Sequence, residues 1–145
     1  MATEGKYDRL RLCNQLCFPL YAASREILRR YKPLLDGIGL TYTQYITMMV
    51  LWEYGTVNVR EIGEILYLDS GTLTPVLKKL EQKGFIERKR GSSDERQLEI
   101  SLTKKGLALR ESALTVPEAM ECTIDLTPEE QKFLCEILHK LISPQ

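Results

Sequence analysis

The segment LDSGTLTPVLKKLEQKG, residues 68–84, constrains this chain more than any other. Leu73, Leu77 and Leu80 recur at helical spacing and share one face. Asp69 or Ser70 can cap the start, and Gly84 stands where a C-terminal cap belongs. Just upstream, Asn58 and Glu61 make a capping-box pair that opens VREIGEILYL, a short amphipathic helix. Two helices of about 8 and 14 residues, joined by a turn at Tyr67–Ser70, have helix-turn-helix dimensions. The face opposite the leucines carries Ser70, Thr72, Thr74, Pro75, Lys78, Lys79 and Gln82. Such hydroxyls and ammoniums suit base edges and phosphates, so this helix is expected to enter a DNA major groove.

A hairpin follows. FIERKR (85–90) and RQLEISL (96–102) flank the polar turn GSSDE, and Leu98, Ile100 and Leu102 alternate with polar residues. A hairpin placed directly after a recognition helix reads as a wing. Arg90 and Arg96 are expected to serve its tip in a narrow minor groove, with Asp94 orienting Arg96. Lys79 and Lys89 are the expected phosphate contacts. Charge supports the placement. The chain carries 20 basic and 20 acidic side chains, yet residues 76–110 hold a net +5 and residues 111–145 a net −5. Overall neutrality thus conceals a basic middle of the kind that contacts phosphate.

Apolar positions Leu12, Leu16, Leu20, Ile27, Leu28 and Tyr31 predict a first helix from about residue 8 to 31. Pro19 falls inside that span, so a kink is expected two residues from Cys17. DGIGLTYTQ (36–44) reads as a connection, and YITMMVLWEYG as a buried helix ending at Gly55. Thr103 caps a long helix to about Met120, interrupted near Pro117, and TPEEQKFLCEILHKLI forms the last helix. The fold class is therefore mainly α with a small β-hairpin (α+β). One domain spans 1–145, with a winged helix-turn-helix at about 43–102. The flanking helices, about 8–35 and 103–145, are more apolar than so small a core absorbs, so they are expected to pair with a second copy. A two-fold homodimer would set two recognition helices on a pseudo-palindrome of double-stranded DNA.

No apolar run approaches the roughly 18 residues of a membrane span, and MATEGKYDRLRL lacks a signal-peptide core, so a cytoplasmic protein is expected. Four cysteines (Cys13, Cys17, Cys122, Cys135) are then reduced at rest, with structural, redox or metal-binding roles open. Cys13–Cys17 and Cys135–His139 have i, i+4 ligand spacing, but His139 is the single histidine, and no metal or cofactor is expected. The chain lacks the C-x-x-C and alternating β and α pattern of a thiol peroxidase, so it is not read as an enzyme.

The order helix, helix-turn-helix, wing, two further helices resembles the MarR family of transcriptional regulators over essentially the whole chain. DERQLEISLTKKG looks like that family's wing and the start of its next helix. Within the family, NQLCFPLY, LTYTQY, LYLDSGTLTPVLKKLEQKG and VPEAMEC are similar to the organic-hydroperoxide-sensing (OhrR-type) repressors. That resemblance implies a peroxide-reactive thiol at Cys17, with Tyr31 and Tyr42 hydrogen-bonding its sulfur and Tyr21 lining the same pocket. It implies Cys122 as the resolving thiol of a two-cysteine sensor. Pro19 departs from the family pattern, and Cys13 and Cys135 acquire no role. An organic hydroperoxide would oxidise Cys17 to a sulfenic acid, a disulfide with Cys122 would follow, and DNA would be released. The alternative is a MarR-type repressor that binds a small phenolic or lipophilic ligand at the dimer interface, with non-reactive cysteines.

Overall fold

A computed structural model describes residues 5–91 and 97–142. The first helix, α1 (Cys17–Asp36), begins later than the periodicity predicts; residues 8–10 and 12–14 form two separate 3-10 turns. Pro19 therefore lies in the first turn of α1, where an N–H has no intrahelical acceptor to lose. The expected kink has no cause there. The interior proline of α1 is Pro33, close to the helix end.

Helix α2 (Tyr42–Tyr54) also starts earlier than the connection read at 36–44 allows. Thr41 accepts from the Gln44 amide at 3.3 Å and the Gln44 side chain accepts from the Thr41 amide at 3.1 Å. That reciprocal box satisfies two helix-end donors. It is followed by the two-residue strand β1 (Val57–Asn58), α3 (Val59–Leu66) and α4 (Ser70–Gln82). Asn58 and Glu61 form the expected second box, with bonds of 2.9 and 2.8 Å. Gly84 follows α4 at φ 77°, and the Phe85 amide reaches back to the Leu80 carbonyl at 3.1 Å, a glycine-dependent helix stop.

Strands β2 (Ile86–Arg90) and β3 (Leu98–Leu102) form the hairpin, with Arg88 opposite Ile100 and Arg90 opposite Leu98. β1 adds to the other edge of β3, making an antiparallel sheet of order β1-β3-β2. Two residues are too few for an alternation signal, so this strand is invisible in the sequence. The long helix expected after Thr103 is two helices, α5 (Lys104–Ala113) and α6 (Thr115–Glu121). The break falls at Leu114, ahead of Pro117, because a proline ring clashes with the carbonyl four residues earlier, here Ala113.

The core joins α2, α3, α4, the sheet and α6 through Met48, Leu51, Ile62, Leu73, Leu77, Leu80, Ile86, Ile100 and Val116. Thr103 welds the wing root to α5. Its hydroxyl donates to the Gly84 carbonyl at 2.6 Å and accepts from the Gly106 amide at 3.0 Å. Thr103→Val keeps the volume but orphans both groups, and is expected to cost about 2 kcal/mol, read from the urea midpoint at constant m-value.

The ends of the chain are different. Helix α7 (Pro128–Ile142) has no buried residue, and Phe133 is 65% exposed. Leu10 (77%) and Leu16 (69%) are exposed as well, so the apolar face read as an interface is uncovered in the single chain.

Candidate DNA interface and thiol site

Helix α4 presents Ser70, Thr72, Thr74, Pro75, Lys78 and Lys79 to solvent, and Leu73, Leu77 and Leu80 to the core. Two of the hydroxyls are already engaged. Asp69 caps the helix, accepting from the Thr72 amide at 2.8 Å and from the Thr72 hydroxyl at 2.9 Å. These bonds hold the Asp69 carboxyl below the usual range. Thr74 donates to the Ser70 carbonyl at 2.7 Å. Both threonines therefore offer lone pairs and methyl groups outward rather than a hydroxyl proton.

The wing is tied to α4 by Arg88, whose Nε and Nη2 donate to Glu81 Oε2 at 2.8 and 2.6 Å. Lys89 is exposed and pairs with Glu87 at 2.7 Å, which raises its pKa. Arg90 is exposed at the end of β2. Asp94 and Arg96 lie outside the described residues. Between α3, the turn to α4 and the start of β3 is a cavity of about 570 Å³ lined by Asn58, Arg60, Gly63, Tyr67, Ser70 and Leu98. Tyr67 caps α3 in the left-handed region at φ 54°, a conformation usual for glycine. Neither Tyr67 nor Arg60 stands out in the sequence, because no glycine or asparagine marks the turn.

All four cysteines are free thiols and exposed. Cys17 is the first residue of α1, with no acidic side chain in that turn and the positive end of the helix dipole beside it. Leu16, Phe18 and Tyr21 are exposed around it, and the Tyr21 hydroxyl accepts from Arg25 at 3.2 Å. Tyr31 and Tyr42 are elsewhere. Their rings are 4.9 Å apart, and Tyr45 stands 6.0 Å from Tyr31. Burial, ahead of their mutual repulsion, pushes the Tyr31 phenol pKa up, and burial does the same to Tyr42, so both stay protonated donors at neutral pH. Tyr31 is fourteen residues along α1 from Cys17, about 21 Å at helical rise, so one chain does not bring them together.

Cys122 ends α6 and adjoins Thr123, whose carbonyl accepts from Arg30 Nη1. Arg30 Nε donates to Glu26 at 3.0 Å, and Arg29 donates to both oxygens of Glu26 at 2.7 and 2.8 Å. The bonds from Arg29 first, then Arg30, hold the Glu26 carboxyl down at about 2. A depressed carboxylate stabilises the fold above its unfolded pKa, so the contribution is complete above about pH 4.5 and disappears as pH falls through 2. Carboxyl-detected NMR should put the Glu26 midpoint near 2. On α7 the His139 ring nitrogen lies 2.6 Å from the Cys135 carbonyl oxygen. Among the described residues, no three His, Cys, Asp or Glu side chains converge as a metal site, and no helix is long and apolar enough to cross a membrane.

Comparison with known proteins accounts for this geometry. The family model of the transcriptional regulators SarA/Rot matches residues 29–112. The organic hydroperoxide resistance transcriptional regulator of Bacillus subtilis is 49% identical over 139 residues, covering 96% of this chain and 95% of that protein. Among solved structures, reduced AbfR bound to DNA superposes with a TM-score of 0.77 at 40% identity, over 95% of this chain and 96% of that one. Disulfide-formed AbfR gives 0.65 at 40% identity, over 96% and 98%; AbfR is from Staphylococcus epidermidis. With an exposed, cationic recognition helix, a wing tied to it, and this likeness over nearly its full length, the chain belongs to the SarA/Rot, MarR-like family of DNA-binding winged-helix transcriptional regulators.

Proposed function

We propose that this regulator is a repressor that senses organic hydroperoxides through Cys17 and is released from DNA when Cys17 forms a disulfide with Cys122 of the partner subunit. One observation carries the reading: Cys17 is an exposed thiol at the positive end of a 20-residue helix, set among exposed apolar and aromatic side chains. A thiolate attacks the O–O bond, so the site must favour negative charge, admit an oxidant and prefer a greasy one. The relative from Bacillus subtilis is a regulator of organic hydroperoxide resistance, which fits that preference.

The 21 Å spacing along α1 favours a quaternary arrangement in which two copies share the site. If Tyr31 and Tyr42 donate to the Cys17 sulfur, they do so from a second copy. A homodimer built on α1 and α7 also covers the exposed apolar face. The same argument supports an intersubunit disulfide. Arg30, which touches Thr123, is thirteen residues, about 20 Å, from Cys17, whereas a disulfide needs Cα atoms within roughly 7 Å.

On DNA, Ser70, Thr72, Thr74, Pro75 and Lys78 face the major groove, and Lys79 and Lys89 contact phosphate. Arg90 and Arg96, with Asp94, serve the wing. The protein works in the cytoplasm, where its thiols rest reduced. Better superposition on reduced, DNA-bound AbfR than on its disulfide form supports reading this conformation as the DNA-competent one.

The test is fluorescence anisotropy on an operator selected by the reduced protein from random duplexes. Stoichiometric cumene hydroperoxide should release it and dithiothreitol should restore it; unaltered binding of oxidised protein would refute the sensor. Lys79→Ala should weaken all sequences about equally and reduce the log–log salt slope by about 1.

A further inference from the structure

We infer that Arg30 is a positioning residue that latches Cys122 to α1 and so restrains the resolving step of oxidation. The inference rests on the two-cysteine reading above. Cys122 is the C-cap immediately after α6, where local ties are weak: its own amide reaches the Glu118 carbonyl at 3.4 Å. Thr123 folds back on the same turn, its amide and hydroxyl both donating to the Met120 carbonyl at 2.9 and 2.8 Å. Upstream the helix is anchored by Val116 and Met120, each 2% exposed. Among the hydrogen bonds of the described residues, the one that crosses from this turn to another element is the Arg30 guanidinium on the Thr123 carbonyl. Its direction fits the electrostatics, a cation against the carbonyl end of a helix. Arg30 is in turn held by Glu26 through Nε, so the guanidinium is aimed rather than free to swing.

Resolution requires the Cys122 thiolate to attack the sulfur of Cys17 sulfenic acid. The S–O bond breaks, the S–S bond forms, and hydroxide leaves with the proton as water. The Cys122 Cα must come within roughly 7 Å of its target. The turn that carries Cys122 cannot travel while its neighbouring carbonyl stays on Arg30. The first oxidation, at Cys17, involves neither group. Arg30 therefore separates the two steps kinetically, letting a sulfenic acid form at Cys17 before the subunits are locked.

Stopped-flow oxidation with stoichiometric cumene hydroperoxide tests this, with sulfenic acid trapped by dimedone and disulfide followed on quenched non-reducing gels. Arg30→Gln should leave the rate of sulfenic acid formation unchanged and speed disulfide formation about tenfold. Arg30→Lys should return it toward wild type. Arg29→Gln, which loses both bonds to Glu26 but none to the carbonyl, should match wild type. Glu26→Gln, which loosens the same guanidinium, should give a smaller gain and guards against poor folding of Arg30→Gln. Disulfide formation in Arg30→Gln at or below the wild-type rate overturns the latch while leaving the two-cysteine sensor intact. A wild-type protein that forms sulfenic acid but never a disulfide overturns the sensor reading and the latch with it.

Discussion

Cys17→Ser should bind its operator as tightly as the reduced wild type and lose all response to organic hydroperoxide. In the wild type, oxidation should weaken operator binding by a factor on the order of 10 to 100, the usual range for coupling between two states. The serine hydroxyl fills the same space at the first position of α1 but does not attack an O–O bond. Because α1 packs chiefly on α2 and α6, the change at its first residue should not touch the DNA-facing surface. Cys122→Ser gives the complementary result: it should still form sulfenic acid at Cys17, trapped as a dimedone adduct, but no covalent dimer on a non-reducing gel. A Cys17→Ser protein that still leaves DNA on peroxide treatment would move the sensor to another thiol, with Cys13 the nearest in sequence.

Gly106→Ala should be a severely disruptive single methyl, the worst of those with a described close approach. A Cβ built at Gly106 would lie 1.9 Å from the Phe85 carbonyl oxygen and 2.8 Å from its carbon. Both are backbone atoms at the start of the wing, so no side chain can swing aside. The Gly106 carbonyl also accepts from the Trp52 indole at 3.0 Å, and its amide is bonded to Thr103, which fixes it from the other side. Overpacking of this kind costs 1–3 kcal/mol or more, and the top of that range is expected here: about 3 kcal/mol, a drop in melting temperature of about 10 °C. Since α5 and the wing root separate in the process, operator affinity should fall along with stability. Gly63→Ala is the milder version, its Cβ meeting the Leu68 carbonyl oxygen at 2.6 Å.

Most of the DNA-binding half was legible in the residues because its signals are local. The Leu73, Leu77, Leu80 stripe, the Asn58–Glu61 box, the Asp69 cap and the Gly84 stop each act within one or two helical turns, and each stands where it was expected. The errors have an equally local origin. Pro19 suggested a kink because the helix was started too early; with α1 beginning at Cys17 it is an ordinary first-turn proline. The capping box at Thr41 and Gln44 was hidden inside a stretch read as a connection. The two-residue strand β1 owes its existence to its partner β3, some forty residues away, and carries no periodicity of its own.

What the sequence determined by itself is the inventory: a helix-turn-helix, a wing, a basic middle and four thiols, one of which the family resemblance singles out. The order of these elements was enough to point to the family. The tertiary structure decided which groups are available. The Thr72 and Thr74 hydroxyls sit on the expected face, yet both already donate within the chain. Cys17 and Tyr31 share one helix, and the rigidity of that helix holds them about 21 Å apart, so any meeting between them needs a second copy. Arg30 and Thr123 are 93 residues apart, and only the packing of α6 on α1 gives the arginine a carbonyl to hold. Periodicity and caps report a residue's own turn; a contact across the fold depends on where two rigid elements come to rest, and no short-range pattern encodes that.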